Sequence, residues 1–354
     1  MAHGKLWPAH PKPFPDELLS SWIVRIAEAN SIKLQTLSRL LFGDQRTPWN
    51  RDIDHSAPDW LLDAICRNTG VGYRQARATT LAIYAGRIYP RNTMAVQFRW
   101  VLPILSYGTK RRGFCMQFCP ACLADDAKPY FRKQWRLAFY TCCPIHQIAL
   151  HDACPACGAP ICHYRRDFGL DLPQAPDMAH CTSCGFNLRE AVRRTPDFGN
   201  EEIRVEFDRM LLSVVNAVHV DFETEYGFFA VLHQLCRVMC MRQNNWRLLR
   251  FVNDQIGQED DWLPGNSHTL EHLRLADRHH LVSLALWLMI DLEPRLTLAW
   301  RQRAVRYNSL LKEFSDKPGW YAAIIEQFSN WHQITFVSAN DLRASTNCCK
   351  KSCS

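Results

Sequence analysis

The chain carries four short cysteine-rich motifs: CPAC at residues 119–122, CPIH at 143–146, CPACG at 154–158 and CTSCG at 181–185. In each motif two residues separate the first cysteine from the next cysteine or histidine. At this spacing one tight turn points both side chains at the same metal ion, and two such turns complete the tetrahedral set of sulfur and imidazole ligands that zinc takes in proteins. The motifs therefore predict two zinc ions in the middle of the chain.

The order of the motifs divides the ligands into two sets of four. The first set consists of Cys119, Cys122, Cys143 and His146, and the second consists of Cys154, Cys157, Cys181 and Cys184. Each set is closed, because four protein ligands leave no coordination position for a substrate or a catalytic water, so we expect structural zinc ions. Cys142 stands beside Cys143 and is an alternative ligand, although only Cys143 keeps the spacing to His146.

Other interpretations of the cysteines fit the sequence less well. A redox-active pair of the thioredoxin type requires a βαβ context, which the surrounding residues do not predict. In the C-terminal half, His233, Cys236 and Cys240 share one face of a predicted helix. Apolar neighbours surround these three residues, so we assign them to the core rather than to a third metal site.

The composition indicates a folded chain of about two or three domains. Of its 354 residues, 47% are hydrophobic and 22% are charged, a globular composition that excludes wholesale disorder. The longest strongly apolar run, at 281–290, has ten residues, about half the length that a membrane span needs. Residues 1–15 contain four prolines and lack the apolar segment of a signal peptide. We therefore expect a cytoplasmic protein with reduced cysteines and no membrane partner.

Positive charge is concentrated in one stretch of the sequence. Residues 74–136 contain 12 lysines and arginines and two acidic residues, whereas the rest of the chain has a net charge of −3. Such a segment favours a polyanionic partner, most often a nucleic acid, over a merely solvated basic face. Within it we single out Lys110, Arg111 and Arg112 as contacts to a nucleic acid or a protein partner, and binding through them should weaken steeply with salt.

Four helices are predicted to follow a proline-rich arm at residues 1–15. Asp16 and Glu17 should begin the first helix, because acidic residues are favoured near the positive end of the helix dipole. Apolar residues at helical spacing predict that the helix continues to Asn30. The second helix covers 34–42 and stops at Gly43. Residues 45–58 are predicted to be a loop.

The third and fourth predicted helices form a helix-turn-helix pattern. The third begins at Asp59 and stops at Gly70, and after a short turn the fourth runs from Tyr73 to about Tyr84. The polar side chains that the fourth helix would offer to a DNA groove or to a partner are Arg74, Gln75 and Arg77. A plain helical hairpin has the same pattern, so a packing or partner-docking role for these residues stays open.

The rest of the chain is again predicted to be helical after the zinc motifs. We expect a mainly α fold with an N-terminal helix-turn-helix-like domain, a central double zinc-ribbon-like domain with short strands, and a C-terminal helical domain. The predicted segments are an arm at 1–15, a helical domain at 16–90, a basic connector at 91–114, zinc modules at 115–195, a helical domain at 200–345 and a tail at 346–354.

The sequence offers little support for an enzyme. Asp52, Asp54 and His55 faintly resemble the start of a zinc-braced nuclease motif. In such a nuclease the metal-binding pair would interleave with the zinc turns, whereas here it lies about sixty residues upstream of them. A zinc-braced nuclease therefore stays a minor alternative, and a zinc-containing DNA-binding regulator is the main one.

Several stretches resemble TniQ family proteins. They are PFPDELLSSW at 13–22, FCPACLA at 118–124, WRL at 135–137, and the CPIH and CPACG turns. The resemblance covers roughly residues 10–190, and the C-terminal half is compatible with it. It implies a non-catalytic adaptor of DNA transposition. Such proteins connect a target, either DNA or a CRISPR effector complex with its guide RNA, to an AAA+ ATPase that recruits the transposase. Whether this chain forms a homodimer stays open.

Overall fold

The computed structural model describes residues 6–43, 49, 51–91, 99–107, 110–216, 222–242, 245–258, 262–264 and 269–329. For residues 105–107, 110–112, 216 and 222–225 the description is limited to the backbone. The predicted tail at 346–354 lies outside the described residues. Within them the chain is mainly helical, with two short antiparallel hairpins and a cysteine-rich centre, which confirms the predicted fold class.

The N-terminal part contains four helices in sequence. They are α1 (Leu19–Ala29), α2 (Leu34–Phe42), α3 (Asp59–Thr69) and α4 (Tyr73–Arg77). Every residue from 19 to 27 is buried, so α1 is an interior helix that other elements cover all round. Helix α2 packs on α1 and α3, and α3 packs on α4. The bounds predicted for the second and third helices are confirmed, with Gly70 ending α3 at φ 66°.

The first helix begins later than predicted, because the acidic residues before it have other partners. Helix α1 starts at Leu19, and Glu17 instead forms a bridge with the backbone of Arg132. The fully buried Glu17 carboxylate accepts a hydrogen bond of 2.7 Å from Arg25 Nε. The expectation that Asp16 and Glu17 begin the helix is therefore wrong. Both residues instead contact Arg132, which lies between the ligands of the first predicted zinc site.

The fourth helix is shorter than predicted. It ends at Arg77, and residues 81–84 form a separate 3-10 turn. The hydroxyl groups of Thr79 and Thr80 donate hydrogen bonds of 2.6 and 2.7 Å to the carbonyls of Ala76 and Arg77. Threonine side chains that bond to the backbone in this way compete with helix continuation, so the predicted helix up to Tyr84 breaks after its first five residues.

The centre of the chain is built from short elements. Strands β1 (Leu105–Tyr107) and β2 (Lys110–Arg112) form one antiparallel hairpin, and β3 (Cys142–Cys143) and β4 (Ile148–Ala149) form another. Helix α5 (Pro120–Asp125) begins within the first zinc motif, with proline in its first turn, where its missing N–H costs nothing.

The C-terminal part is an assembly of helices around one apolar helix. The helices are α6 (Glu201–Asn216), α7 (Phe222–Met239), α8 (Arg247–Ile256), α9 (Leu275–Ile290), α10 (Leu292–Arg301), α11 (Tyr307–Leu311) and α12 (Gly319–Glu326). Helix α9 contacts α6, α7, α8 and α10 and contains the apolar run at 281–290. In the described ranges, no helix combines the length and the apolar character needed to cross a membrane.

Buried polar contacts join the C-terminal helices to the centre. The backbone N–H of Trp100 donates a hydrogen bond of 2.8 Å to Glu271, and the indole N–H donates one of 2.9 Å to the carbonyl of Phe229. Arg278 of α9 is fully buried and donates to the carbonyl of Ala138 at 2.8 Å. His233 pairs with Glu271 at 2.9 Å. Cys236 of the same helix and Cys240, which follows the helix, are buried, as predicted for core residues.

Candidate metal centres

The first predicted set of ligands converges at the start of α5. Cys119 is the N-cap of that helix, and its sulfur accepts a hydrogen bond of 3.4 Å from the backbone N–H of Cys122. Cys143 ends β3, and His146 lies in the turn that leads to β4. The potential ligand atoms of the four residues all lie within 4.8 Å of one another. The set thus ties the N-terminus of α5 to the β3–β4 hairpin.

The separations within this set match a tetrahedral zinc site. The sulfurs of Cys122 and Cys143 are 3.6 Å apart, and Nδ1 of His146 lies 3.3–3.6 Å from the three sulfurs. Zinc–sulfur bonds of about 2.3 Å and zinc–nitrogen bonds of about 2.0 Å give tetrahedral edges of roughly 3.5–3.8 Å. The four side chains therefore need only small shifts to hold one ion.

The histidine of the first set has a supporting carboxylate. Nε2 of His146 lies 2.8 Å from Asp125 Oδ2, at the end of α5. This contact fixes the tautomer that leaves Nδ1 free to bind a metal, which is the usual role of a carboxylate behind a metal-bound histidine. Sequence reasoning missed Asp125, although its position three residues after Cys122 on a short helix was an available signal.

The second predicted set joins two turns of nearly identical construction. The Cys154 and Cys181 N–H groups donate to the carbonyls of residues 159 and 186 at 2.9 and 2.8 Å. The N–H groups of Gly158 and Gly185 donate back to the carbonyls of those cysteines at 2.8 and 2.9 Å. Both glycines have positive φ, 70° and 77°, as a turn of this kind requires. The repeated CxxCG pattern therefore encodes two equivalent halves of one site.

The two turns of the second set face each other with metal-site spacing. Cys154 lies 3.7 Å from Cys184, and Cys157 lies 3.7 Å from Cys181, measured between sulfurs. These values equal the edge of a tetrahedral four-sulfur zinc site, about 3.7 Å. The two sites differ in exposure: the cysteines of the first set are buried, whereas Cys157 and Cys184 are exposed.

The donor atoms fit zinc in both sites. Three sulfurs with one imidazole, and four sulfurs, are the sets found in closed structural zinc sites. Hydrogen bonds from the thiols of Cys119 and Cys122 hold the pKa of the Cys143 thiol well below its usual range. The backbone N–H of Phe186 lowers the pKa of Cys184. Thiolates are the metal-binding form of cysteine, so metal binding by either set requires its thiols to lose their protons.

Cys142 is not part of the first set. Its sulfur lies 3.6 Å from Nδ1 of His279 in α9 and 3.8 Å from the Thr141 hydroxyl. The adjacent Cys143 supplies the ligand atom, as its spacing to His146 predicted. In the part of the chain that the structure describes, only these two sets bring three or more potential metal ligands together.

The residues predicted to contact nucleic acid or a partner are separate from the metal sites. Arg74, Gln75 and Arg77 are exposed along α4. Lys110, Arg111 and Arg112 form β2, but their side chains lie outside the described part of the chain. The third and fourth predicted helices are thus present as α3 and α4, joined by a three-residue turn, and the three predicted polar side chains are exposed to solvent.

Much of the basic segment at 74–136 is internal, which corrects its interpretation as one surface. Arg132 pairs with Asp16 at 3.2 Å, and Lys133 donates to the carbonyl of Ala78 at 2.7 Å. Arg136 is fully buried, and Arg99 pairs with Asp316 at 2.8 Å. These four cations form intramolecular ion pairs and hydrogen bonds with carboxylates and carbonyls of distant segments. The local sequence does not reveal these partners.

The acidic residues considered for a nuclease belong to one of these internal clusters. Arg136 bonds to Asp52 at 2.5 Å and to Asp54 at 3.4 Å. Asp54 also accepts hydrogen bonds from the N–H and hydroxyl of Ser20, at 2.7 and 2.9 Å. Burial lowers the pKa of the nearby His55. The arrangement anchors α1 to the loop before α3, so the carboxylates have a structural role.

The part of the chain that holds the first ligand set matches a known protein family. No curated protein matches the chain. Residues 8–150 match the family model of TniQ, a shorter stretch than the one over which the motifs resemble that family. This stretch contains α1 to α5, the Arg136 cluster and all four ligands of the first set. Residues 8–150 of this chain are therefore a TniQ family domain.

Proposed function

We propose that this chain is a non-catalytic adaptor for target selection in DNA transposition. In this role it links a target, either DNA or a CRISPR effector complex, to an AAA+ ATPase that regulates the transposase. The match of residues 8–150 to the TniQ family is the observation that carries the proposal. Two closed ligand sets support it, since structural metal ions shape a binding protein without supplying a reaction centre.

Helix α4 supports a role in binding. Its polar residues Arg74, Gln75 and Arg77 are exposed, while Ala76 packs inward against α3. Arginine and glutamine are side chains that contact phosphates and base edges. However, α4 has five residues, and the carbonyl that follows it, of Ala78, accepts a hydrogen bond from Lys133. A helix so short presents few base-reading positions, which favours contact with a partner or a nucleic-acid backbone over sequence-specific reading.

A zinc-containing DNA-binding regulator is the second candidate function, because the same exposed residues are able to read bases. The two candidates differ in two measurable properties, the sequence preference for duplex DNA and the retention of an ATPase partner. An adaptor should bind duplex DNA without sequence preference and should retain an AAA+ ATPase in a pull-down from its native host. A regulator should select a defined motif and need no ATPase.

Selection of binding sites from random duplex DNA tests this difference. With the full-length, metal-loaded chain we expect no enriched motif, and we expect the Arg74→Ala/Arg77→Ala variant to lose the ATPase partner while keeping its fold. The exposed Arg209 of α6 provides a matched control, since Arg209→Ala removes a similar side chain elsewhere. A reproducible motif that the double variant loses, with a discrimination of about 1–3 kcal/mol per base contact, would instead establish the regulator.

A further inference from the structure

The second ligand set closes a long loop that lies on the N-terminal helices. The ends of this loop are Cys157 and Cys181, whose sulfurs lie 3.7 Å apart. Between them stand 23 residues, 158–180, which we call the docking loop. The docking loop contains two 3-10 turns, at 163–165 and 172–174. A loop of this length with so little regular structure keeps one conformation only if its ends and its surface are held.

The first part of the docking loop is tied to α1 through His163. The ring of His163 is 2% exposed, and its Nε2 lies 2.9 Å from the hydroxyl oxygen of Ser20. The same ring stacks on Phe131, with 4.3 Å between the ring centroids. At the other end of the loop, the Ser21 hydroxyl lies 3.9 Å from the sulfur of the buried Met178. The docking loop is thus one of the elements that make α1 an interior helix.

Asp167 of the docking loop caps α2. The residue before that helix, Lys33, makes no capping hydrogen bond with its side chain. Instead, the backbone N–H of Leu34, the first residue of α2, donates a hydrogen bond of 2.7 Å to the carboxylate of Asp167. Asp167 is 7% exposed, so solvent screens little of its charge. A carboxylate at this place pairs one of the unbonded N–H groups of the helix start and meets the positive end of the helix dipole.

Arg166 holds the docking loop in shape and adds a third contact with the N-terminal helices. Its Nε donates a hydrogen bond of 2.6 Å to the carbonyl of Pro176, on the returning half of the loop. Its guanidinium group also pairs with Glu28 of α1 at 3.1 Å, and these two side chains are 12% and 28% exposed. The contacts of His163, Arg166 and Asp167 fall within five positions of the chain, so they depend together on how the loop is placed.

The two ligand sets differ in how easily solvent reaches them. Cys157 and Cys184 of the second set are exposed, whereas all three cysteines of the first set are buried. A competing ligand removes a bound metal ion by reaching it and replacing its donor atoms. The second set offers such a ligand two accessible sulfurs, whereas the sulfurs of the first set are covered. We therefore expect the second set to exchange its ion faster than the first.

We propose that the second ligand set is an exchangeable zinc site that clamps the docking loop onto α1 and α2. When the set is filled, the ends of the loop stay together and Asp167 is held against α2. When the set is empty, the ends are free to separate, so docking the loop costs more conformational entropy and its contacts with both helices weaken. The set lies outside residues 8–150, which match the TniQ family, yet it acts on helices inside them. The inference goes beyond the proposed function and does not depend on it.

Stepwise removal of metal tests the clamp. The full-length protein with two bound zinc ions is treated with increasing concentrations of EDTA. At each step the zinc that stays bound is counted, its ligands are identified by X-ray absorption, and hydrogen–deuterium exchange is measured in α2 and α9. The variants Asp167→Ala and Asp171→Ala are measured in parallel without EDTA. Asp171 is the matched control, because it belongs to the same loop but its side chain is 81% exposed.

We expect one ion to leave first, and the ion that stays to have three sulfur ligands and one nitrogen ligand. Amide exchange at the start of α2 should rise with that first loss, while α9 keeps its protection. Asp167→Ala should keep both ions and raise exchange at the start of α2 by about two- to thirty-fold, the factor that follows from the stability a helix cap contributes. Asp171→Ala should match the wild type. Loss of both ions together, earlier loss from the first set, unchanged exchange in α2, an equal rise in α9 or an equal effect of the two variants would each overturn the proposal.

Discussion

Replacing Cys122 with serine is expected to prevent the chain from reaching a stable, soluble fold. Cys122 is almost fully buried, and its sulfur lies 3.6 Å from Cys143 and 3.3 Å from His146. A structural zinc site contributes a binding free energy of about 10–16 kcal/mol, which is largely folding free energy. Whole domains have a net stability of about 5–15 kcal/mol. The free energy lost with this ligand is therefore as large as the net stability of a whole domain.

The soluble yield and the metal content of Cys122→Ser, beside those of the wild type, measure this effect. Cys66→Ser is the matched control: Cys66 is half-buried in α3 and belongs to neither ligand set, so this change should leave yield and metal content close to those of the wild type. The interpretation would be wrong if Cys122→Ser were as soluble as the control and kept the wild-type near-UV circular dichroism.

Replacing Arg136 with methionine is expected to destabilise the N-terminal part by about 3–5 kcal/mol, the usual cost of leaving a buried ion-pair partner alone. Arg136 is fully buried, and its guanidinium group bonds to Asp52, to Asp54 and, at 2.8 Å, to the carbonyl of Leu102. Asp52 is partly exposed and can face water. Asp54 is 2% exposed, so its carboxylate would remain in the interior without a counter-charge.

The pH dependence of this defect follows from the state of Asp54. Burial raises the pKa of the Asp54 carboxyl to about 7, while the Arg136 guanidinium opposes that rise. A carboxyl with a raised pKa binds its proton more tightly in the folded protein than in the unfolded chain. The contribution of Asp54 to the free energy of unfolding therefore falls as the pH rises from its ordinary pKa of 3.8 to about 7. Without Arg136 the pKa rises further. The loss of stability in Arg136→Met should therefore be largest at alkaline pH and should shrink as the pH falls and Asp54 becomes protonated.

Urea unfolding of the wild type, Arg136→Met, Asp54→Asn and the double variant at two pH values measures this coupling. Asparagine keeps an oxygen for the Ser20 hydrogen bonds but removes the charge. We expect the double variant to be more stable than Arg136→Met alone at alkaline pH. Strictly additive losses that do not depend on pH would show that the contribution of Arg136 is packing and not charge.

The metal sites could be predicted from the sequence because their determinants are local. Two residues between ligands fix each turn by itself, and in both turns of the second set a glycine follows the second cysteine. Order along the chain then pairs the turns, and the structure brings the same eight residues together. Helices α2 and α3 were predictable for a similar reason, since glycine ends each of them.

The features that sequence reasoning missed depend on contacts between distant segments. The start of α1 is set by the pairing of Glu17 with residue 132, and α4 ends where Thr79 and Thr80 bond to the backbone. The burial of Arg136 follows from Asp52 and Asp54, more than eighty residues away.

The central claim is that each of the two closed ligand sets holds a structural zinc ion, and metal analysis of the purified, full-length chain tests it most directly. Elemental analysis together with zinc X-ray absorption measures the number of ions and their ligands in one preparation. We predict two zinc ions per chain, one with three sulfurs and one nitrogen and the other with four sulfurs, at zinc–sulfur distances of about 2.3 Å. Fewer than one zinc ion per folded chain, or a spectrum dominated by oxygen ligands, would contradict the account.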